Sequence, residues 1–570
     1  MKRMQNQNKS LRISVVLLTL LMLALAGTVP AKAQTFTSLY SFGQVDPTQV
    51  YPDGQLVQGR DGNLYGELNQ DQAQIYRMTP EGTETVLFVS ASDDGNACYT
   101  GLALGLDGLL YGTCGNWGFD DSVSGIIFKL DPSSGAFTII YSWPAFGGQG
   151  GEGPSALTLG NDGNFYGTTQ GDLTNTLGTV FKVTPSGTYT TLHAFQGESG
   201  SDGANPSETS NGNGYPIPLP LILAKDGNFY GTTDEGGLPG QQNGGTAYRI
   251  TPQGRITILY DFVNGESPSG MTQGKDGNFY GQTALAGTNG YGSIFKLTPT
   301  GQLTTIYNFN STTDNAAYPK YLLMLGPDGN FYDVSDDYES GGYGSANSIF
   351  EVTAQGKFTD LFSGFQTGAC EPETDGCIPS SPLLLHTNGT FYGTTAQGGV
   401  ESRGMFYSFS KGLAQFASLQ TTAGREGATI NILGQGFSTA TKVSFGGTSA
   451  AFSVSSDTFM TATVPNGALT GTVSVTESGA TLNSIQSFEV APVVTSFSPS
   501  SGPVGTAVVI NGSGLMQTTK VTFGGVAATG VTVTSDKKVT ADVPTGAITG
   551  SIVVTTKGGS ATNSKSFTVN

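Results

Sequence analysis

Short runs of alternating apolar and polar residues fill most of the chain after residue 33, and Asp-Gly-Asn or Pro-x-Gly turns separate them. This period of two, bounded by turn residues, predicts β-strands joined by hairpins. Residues 178–195 are typical: Gly-Thr-Val-Phe-Lys-Val-Thr-Pro, a Ser-Gly-Thr turn, then Tyr-Thr-Thr-Leu-His-Ala-Phe. No stretch after the N-terminus combines helical periodicity with helix caps, so the pattern predicts an all-β fold.

The predicted strands belong to a repeated unit, marked by the phrase Asp-Gly-Asn-Phe-Tyr-Gly and its variants. Seven copies, 46 to 64 residues apart, begin at Asp61, Asp107, Asp162, Asp226, Asp276, Asp328 and, in degenerate form, Asn388. Each unit contains four predicted strands, a to d, with the phrase at the a–b turn. Repeats of this length indicate a solenoid or a propeller. Seven four-stranded units predict a seven-bladed β-propeller, a ring that protects its sheet edges.

The two ends of the repeat region complement each other. Residues 36–42 resemble a strand d that has no a, b or c before it. The last unit has strands a (383–385), b (390–395) and c (404–409) and then stops. We therefore expect the N-terminal strand to complete the seventh blade and close the ring. An open β-solenoid is the alternative, but it would not need this complementary strand.

The first 33 residues have the pattern of a signal peptide. Lys2, Arg3, Lys9 and Arg12 precede an apolar stretch at 13–26, and Ala-Lys-Ala at 31–33 is a cleavage site. The apolar stretch is short for a membrane span. We expect cleavage after Ala33, no membrane span in the mature chain, and a secreted, extracellular or cell-surface location.

A different pattern follows Ser410 and occurs twice, in units of about 78 residues. Residues 427–437 align with 505–515, and residues 442–447 align with 520–525. These units resemble the TIG/IPT family, which implies two small immunoglobulin-like β-sandwiches. The second, with Phe-Ser-Pro-Ser-Ser-Gly-Pro-Val-Gly-Thr at 497–506, is the closer match. The expected domains are a signal peptide (1–33), a propeller (34–412) and two sandwiches (413–490 and 491–570).

The repeat region also resembles a family. Asp-Gly-Asn-Phe-Tyr-Gly-Thr-Thr-Asp-Glu-Gly-Gly at 226–237 and Gly-Thr-Ala-Tyr-Arg-Ile-Thr-Pro at 245–252 are similar to the tandem GloVer repeat of exported bacterial proteins. The resemblance covers about residues 36–409. It implies no particular activity, although the family is associated with C-terminal anchoring signals. We find no Leu-Pro-x-Thr-Gly signal here, so we expect the TIG pair to act as a stalk, a docking module or both.

Four cysteines suit an oxidising compartment. Cys98 and Cys114 flank the second a–b turn and could face each other across it, and Cys370 and Cys377 share one loop. These two pairs are the disulfides that we favour among the three pairings that four cysteines allow. The two histidines, His193 and His386, are distant from every cysteine in the sequence, so we expect no metal site.

The charge is concentrated in the predicted propeller. Residues 34–410 contain 12 Lys or Arg and 37 Asp or Glu, a net charge of −25, whereas the residues after Ser410 carry +2. Nucleic-acid binding requires a basic surface, so it is disfavoured. No motif for a cofactor is present, because the Gly-rich loops lack the Lys and the helix of a phosphate site.

Within each unit the a–b and c–d turns are short and nearly invariant, whereas the b–c and d–a connections vary. These two sets lie on opposite faces of a propeller, and binding residues concentrate in variable loops on a rigid scaffold. The variable face carries aromatic and acidic residues, which can stack on sugars and accept their hydroxyl hydrogen bonds. The candidate ligand-binding residues are Trp117, Asp120, Asp121, Trp143, Asp234, Glu235, Asp336, Asp337, Tyr338 and Tyr343. For Trp117 and Trp143 the alternative is that they pack loops between blades.

The repeated Asp residues are better explained as turn caps than as catalytic groups, since a residue repeated in six blades serves a local purpose. The sequence thus predicts no catalytic residue and favours an exported binding or adhesion protein for a glycan or protein ligand, with the TIG pair as spacer. A secreted carbohydrate-active hydrolase or lyase that uses loop carboxylates is one alternative. A structural component of the cell envelope is another. The oligomeric state is not predicted.

Overall fold

The structure is a computed structural model of the chain. It describes residues 34–44, 52–69, 73–90, 96–98, 100–116, 123–144, 152–170, 177–197, 202–206, 208–210, 216–237, 244–263, 266–284, 287–310, 319, 321–335, 347–365 and 376–570. These residues contain β-strands and short 3-10 turns, such as Phe437–Thr439, and no α-helix, so the all-β prediction is confirmed. No helix in the described ranges is long and apolar enough to cross a bilayer.

The described part of the repeat region folds into seven antiparallel sheets, numbered 1 to 7, each of four or five strands. Sheets 1 to 3 consist of Pro52–Gln58, Leu64–Asn69, Ala73–Met78 and Glu84–Val89; Asn96–Ala97, Leu102–Leu104, Leu110–Asn116, Val123–Leu130 and Phe137–Pro144; and Glu152–Pro154, Thr158–Leu159, Phe165–Gln170, Thr179–Val183 and Tyr189–Ala194.

Sheets 4 to 6 follow the same order along the chain. Their strands are Ala204–Pro206, Ile222–Leu223, Phe229–Glu235, Thr246–Ile250 and Ile256–Asp261; Pro268–Gln273, Phe279–Thr283, Ser293–Leu297 and Leu303–Asn308; and Met324–Leu325, Phe331–Val334, Asn347–Val352 and Phe358–Phe365. A separate two-stranded ribbon joins Glu208–Ser210 to Pro216–Pro218.

Sheet 7 combines both ends of the repeat region. Its strands are Thr35–Ser41, Cys377–Pro379, Leu384–Leu385, Phe391–Gln397 and Met405–Ser410. The N-terminal strand pairs antiparallel with the last of these, Phe36 opposite Phe409 and Ser41 opposite Met405. The expected completion of the last unit by the first strand is therefore present in the structure.

Each sheet also contacts the next one in sequence, and sheet 7 contacts sheet 1. The hydrogen bonds that join them include Gly101 N to Glu67 (2.8 Å), Thr113 to Ser155 O (2.9 Å), Gln170 to Pro206 O (2.6 Å), Gly270 N to Thr232 (3.1 Å), Gln282 to Tyr321 O, Tyr321 to Pro379 O (3.2 Å) and Gln58 to Thr387 (2.9 Å). The contacts form a closed series, because the last sheet contacts the first.

The Phe-Tyr pair of the repeated phrase forms the apolar part of these contacts. The Tyr of one sheet packs on the Phe of the next, with ring centroids 3.9 Å apart for Tyr166 and Phe229 and 4.1 Å apart for Tyr230 and Phe279. All four rings are at most 2 % exposed. Burying such large side chains stabilises the packing between sheets, because aromatic pairs add to the gain from removing apolar area from water.

The Asp of the phrase holds the a–b turn together. In sheet 3 the Asp162 carboxylate accepts the backbone N–H of Asn164 (3.2 Å) and the Tyr166 hydroxyl (2.8 Å). Gly163 follows with φ of +77°, a conformation that glycine adopts without strain. In sheets 1, 2, 4, 5 and 6 the Tyr hydroxyl donates to the Asp carboxylate in the same way. The structural interpretation of the repeated Asp accounts for all of these contacts.

Cys98 and Cys114 are joined by a disulfide within sheet 2, with Cα atoms 4.2 Å apart. The second expected pair, Cys370 and Cys377, lies outside the residues whose side chains the structure describes. The disulfide between Cys98 and Cys114 links strand b of sheet 2 to the segment that precedes its strand a.

After Ser410 the chain forms two β-sandwiches. The first pairs the sheet Ser418–Leu419, Thr429–Leu433, Phe459–Thr463 and Phe452–Val454 with the sheet Thr448–Ala450, Lys442–Phe445, Val473–Glu477 and Ala480–Asn483, and Ala423–Gly424 runs parallel to Glu489–Val490. Ile432 from one sheet and Phe445 from the other lie in one fully buried core.

The second sandwich repeats this topology. Its sheets are Val493–Ser498, Ala507–Ser513, Lys538–Asp542 and Thr529–Ser535; and Ser501–Gly502, Gly559–Val569, Gly550–Thr556, Thr518–Phe523 and Val526–Ala527. Its core contains Ile510 and Phe523, which are fully buried. Thr470 of the first sandwich donates its N–H to Gln517 of the second at 2.7 Å.

Candidate functional site

The first sandwich lies against the face of the repeat region that carries the a–b turns. The residue immediately before the Asp of each phrase, which we name the pre-turn position, faces it. The pre-turn residues are Arg60, Leu106, Asn161, Lys225, Lys275, Pro327 and Thr387. Unlike their neighbours in the phrase, these seven residues differ in size and charge.

Four pre-turn residues bond directly to the first sandwich. The guanidinium group of Arg60 lies 4.3 Å from the centroid of the Phe459 ring, a cation–π contact. Asn161 Oδ1 accepts the backbone N–H groups of Thr422 (2.9 Å) and Ala423 (3.3 Å). The backbone carbonyl of Leu106 accepts Asn431 Nδ2 (3.2 Å), and Thr387 Oγ1 accepts Gln435 Nε2 (2.9 Å).

The other three, Lys225, Lys275 and Pro327, line a crevice of about 510 Å³ with residues of the first sandwich such as Thr472 and Asn483. The Lys225 ammonium donates to the carbonyl of Lys275 (3.3 Å), and the Lys275 ammonium donates to the carbonyl of Pro327 (2.6 Å). The turn face is thus linked from sheet to sheet and covered by one domain.

We expect the b–c and d–a connections to form the opposite face, and these connections contain most of the residues that we predicted to bind a ligand. Trp117, Asp120, Asp121, Asp336, Asp337, Tyr338 and Tyr343 lie outside the described residues. Only Trp143, Asp234 and Glu235 can be placed. The rest of the predicted site stays a prediction.

Trp143 does not fit the predicted role. It is 1 % exposed and packs between sheets 2 and 3, with its ring centroid 5.6 Å from Phe181 and 5.8 Å from Tyr189. Its indole N–H donates to the Tyr189 hydroxyl at 3.4 Å. Its ring has no open face on which a sugar could stack, so its large apolar surface serves the core instead.

Asp234 and Glu235 do lie at the expected place, at the end of strand Phe229–Glu235 where the b–c connection of sheet 4 begins. Glu235 is exposed, and Asn205 Nδ2 donates to its Oε2 at 3.2 Å. Asp234 is half-buried. Two neighbouring acids at this edge can accept hydrogen bonds from a ligand.

Two further carboxyl groups are fully buried between sheets, and sequence reasoning missed both. The pKa of Glu67 is raised to about 8, mainly by burial and also by the nearby Asp53, whereas the hydrogen bond from Gly101 N lowers it. Burial also raises the pKa of Asp333 to about 7, although Gln282 and the backbone of Tyr321 donate to it. A carboxyl group with so high a pKa is at least partly protonated near neutral pH.

A signal for these residues exists in the sequence. The phrase continues with Gly-Thr in sheets 2, 3, 4 and 7, and this Thr contacts the neighbouring sheet in several of them. Glu67 and Gln282 replace that Thr, and Asp333 replaces the Gly. These exceptions mark buried polar contacts between sheets. No group of three His, Cys, Asp or Glu able to hold a metal ion occurs among the described residues.

Comparison with known families agrees with the sequence. Residues 217–460 match the Gloeobacter/Verrucomicrobia repeat, and residues 492–569 match the IPT/TIG domain. The resemblance to both families is thereby confirmed. The first of these matches continues beyond Ser410 into the first sandwich, as far as Met460.

No curated protein matches the chain. Among solved structures, it is similar to virginiamycin B lyase from Staphylococcus aureus, with 16 % identity over 66 % of this chain and 99 % of that chain and a TM-score of 0.45. A fungal alcohol oxidase of the AA5 family has 14 % identity over 80 % and 98 %, with a TM-score of 0.43. Likenesses this distant carry no argument about activity.

Proposed function

We propose that sheets 1 to 7 are the blades of a closed seven-bladed β-propeller and that the mature chain is an exported, non-enzymatic binding or adhesion protein. Two observations support the ring: the N-terminal strand completes sheet 7, and sheet 7 contacts sheet 1. A closed ring explains why the contacts between sheets have no end.

The observation that carries the binding proposal is the position of the first sandwich. Because it lies on the turn face, a ligand of the propeller would approach from the face with the b–c and d–a connections. This variable face is also where loops differ from unit to unit, as expected of a recognition surface. The first sandwich then supports the propeller in a fixed position, and the second sandwich is the spacer.

The chemistry of the variable face suggests the ligand class. Asp234 and Glu235 supply hydrogen-bond acceptors, and the net charge of −25 over residues 34–410 repels polyanions at short range. We therefore propose a neutral or basic ligand, either an extracellular glycan or a protein, and no nucleic acid. A hydrolase or lyase that uses loop carboxylates is the competing function. The buried Glu67 and Asp333 do not favour it, because neither is open to a substrate.

The test is an array of glycans and envelope proteins, run beside a hydrolysis screen on the same polysaccharides. The double variant Asp234→Ala/Glu235→Ala removes acids from the variable face. Glu81→Ala, at an exposed c–d turn on the covered face, is the matched control. We expect binding without turnover, weakened by the double variant at least fivefold and unchanged by Glu81→Ala.

Other outcomes distinguish the alternatives. Turnover that the double variant abolishes would favour the carbohydrate-active enzyme. Turnover that survives replacement of the acids would reject both uses of the loop carboxylates. No signal in either assay would leave the role of a structural envelope component.

A further inference from the structure

A cavity of about 360 Å³ lies where the inner strands of the repeat region meet the first sandwich. Strand a of sheets 5 and 7 contributes Thr272 and Leu384, and Leu322 lies just before strand a of sheet 6. The sandwich contributes Phe416 and Ile485. The cavity is therefore built by two domains and would not exist if either were absent.

The lining of this cavity is neutral. None of the described residues around it is charged, although the repeat region carries a net charge of −25. Leucine, methionine, proline, isoleucine and phenylalanine side chains form most of the wall. A few polar groups, including Gln55, Thr272 and Gln486, interrupt it. Small-molecule sites have this composition, with an apolar wall and a few polar groups that orient the ligand.

Several apolar side chains in the wall are only half-buried. Leu322, Met324, Leu384 and Ile485 retain accessible surface, whereas their neighbours Leu323 and Leu383 are 2 % exposed. Apolar surface left open inside a protein gains free energy when a ligand covers it. At roughly 30 Å³ per water molecule, the cavity has room for about a dozen water-sized units.

We propose that this junction cavity binds a neutral, mainly apolar small molecule with one hydrogen-bonding group. The apolar body of the ligand would cover Leu322, Met324 and Ile485. A carbonyl or hydroxyl group on it could bond to Gln55 or Thr272. A charged ligand is excluded, because no described wall residue could pair with it and burying an unpaired charge is costly. This proposal does not depend on the function proposed above.

The full-length chain can be titrated into the neutral solvatochromic dye 6-propionyl-2-(dimethylamino)naphthalene. We expect a saturable, one-site rise and blue shift of its emission. The anionic dye 1-anilinonaphthalene-8-sulfonate should bind at least tenfold more weakly. Equal or tighter binding of the anionic dye would contradict a neutral site, and no saturable binding of the neutral dye would overturn the proposal.

Two variants locate the dye. Thr272→Trp fills the cavity and should weaken binding of the neutral dye at least tenfold. Thr305→Trp places the same side chain on an exposed outer strand of sheet 5 and should leave binding unchanged. If Thr272→Trp loses its thermal unfolding transition, Leu322→Gln, which makes the wall polar, takes its place. Unchanged binding in a folded cavity variant would show that the dye binds elsewhere.

Discussion

The hydrogen bond from the repeated Tyr to the repeated Asp stabilises the a–b hairpins of the repeat region locally. It joins the first residue of the a–b turn to strand b, four residues later, and it occurs in six sheets. Sheet 7 has Asn388 in place of the Asp carboxylate, and the bond runs in the other direction. Asn388 Nδ2 donates to the Tyr392 hydroxyl at 3.1 Å. The chain thus contains a charged and a neutral version of one contact.

This difference allows a direct comparison. Tyr166→Phe removes a hydroxyl that donates to the Asp162 carboxylate, and it should lower the free energy of unfolding by about 2 kcal/mol. Tyr392→Phe removes the neutral version and should cost about 1 kcal/mol. Denaturant unfolding measures both. Equal costs would mean that the charge of the turn Asp contributes nothing to the contact.

Glu67 makes the free energy of unfolding depend on pH. Its pKa, raised by burial to about 8, exceeds the ordinary value of 4.5, so the folded chain holds this proton more tightly than the unfolded chain. The protonated carboxyl therefore contributes stability that is fully present below pH 4.5 and is lost as the pH rises through 8.

We expect Glu67→Gln to reduce this loss, because Gln282 already occupies the equivalent position in sheet 5. Relative to the unmodified chain, the variant should gain more than about 1 kcal/mol between pH 5 and pH 8. Exposed Glu81→Gln is the control and should show no such gain. Denaturant midpoints at both pH values test this, and parallel pH profiles for the Glu67→Gln variant and the unmodified chain would contradict it.

At the scale of elements, each a–b turn has two functions. Its invariant residues close the hairpin, and its pre-turn residue faces the first sandwich. A turn that only closed a hairpin would tolerate the same residue in all seven copies. The pre-turn residues instead range from Arg60 to Pro327, because each one meets a different part of a domain that lacks the sevenfold repeat.

Asn161 tests this interface. Its amide oxygen accepts two backbone N–H groups of the first sandwich, so Asn161→Ala should lower the free energy of unfolding by about 1 to 3 kcal/mol. Asn161→Asp keeps the acceptor oxygens and should retain most of the stability. Thermal and denaturant unfolding of both variants provide the measurement. A loss of the same size in both would argue against the hydrogen bonds as the cause.

Much of the fold was predictable from the sequence, since turns and strands follow local rules. The repeated phrase located the a–b hairpins, and the unmatched residues 36–42 predicted the pairing of the first strand with the last. Whether Trp143 packs between blades or binds a ligand could not be decided from the sequence, because a Trp at a strand end has the same local pattern in both cases. The docking of the first sandwich depends on contacts between distant residues, such as Asn161 and Thr422, which no periodicity reveals.

At the scale of the whole molecule, the repeat region and the first sandwich share buried surface. Leu433 and Phe459 of the sandwich belong to one buried cluster with Leu102 and Leu110 of sheet 2. Between the two sandwiches the contacts include the hydrogen bond from Thr470 to Gln517. We therefore expect the repeat region and the first sandwich to unfold together, and the second sandwich to unfold with more independence.

Tryptophan fluorescence measures this coupling most directly, because both tryptophans, Trp117 and Trp143, lie in the repeat region. Ile432 and Ile510 are fully buried at equivalent positions of the two sandwiches, and Ile→Ala in a core costs about 2 to 5 kcal/mol. In the full-length chain, Ile432→Ala should lower the denaturant midpoint of the tryptophan transition, and Ile510→Ala should shift it much less. If neither variant moves that transition, the first sandwich is not a fixed cover of the turn face, and the case for the variable face as the binding face fails.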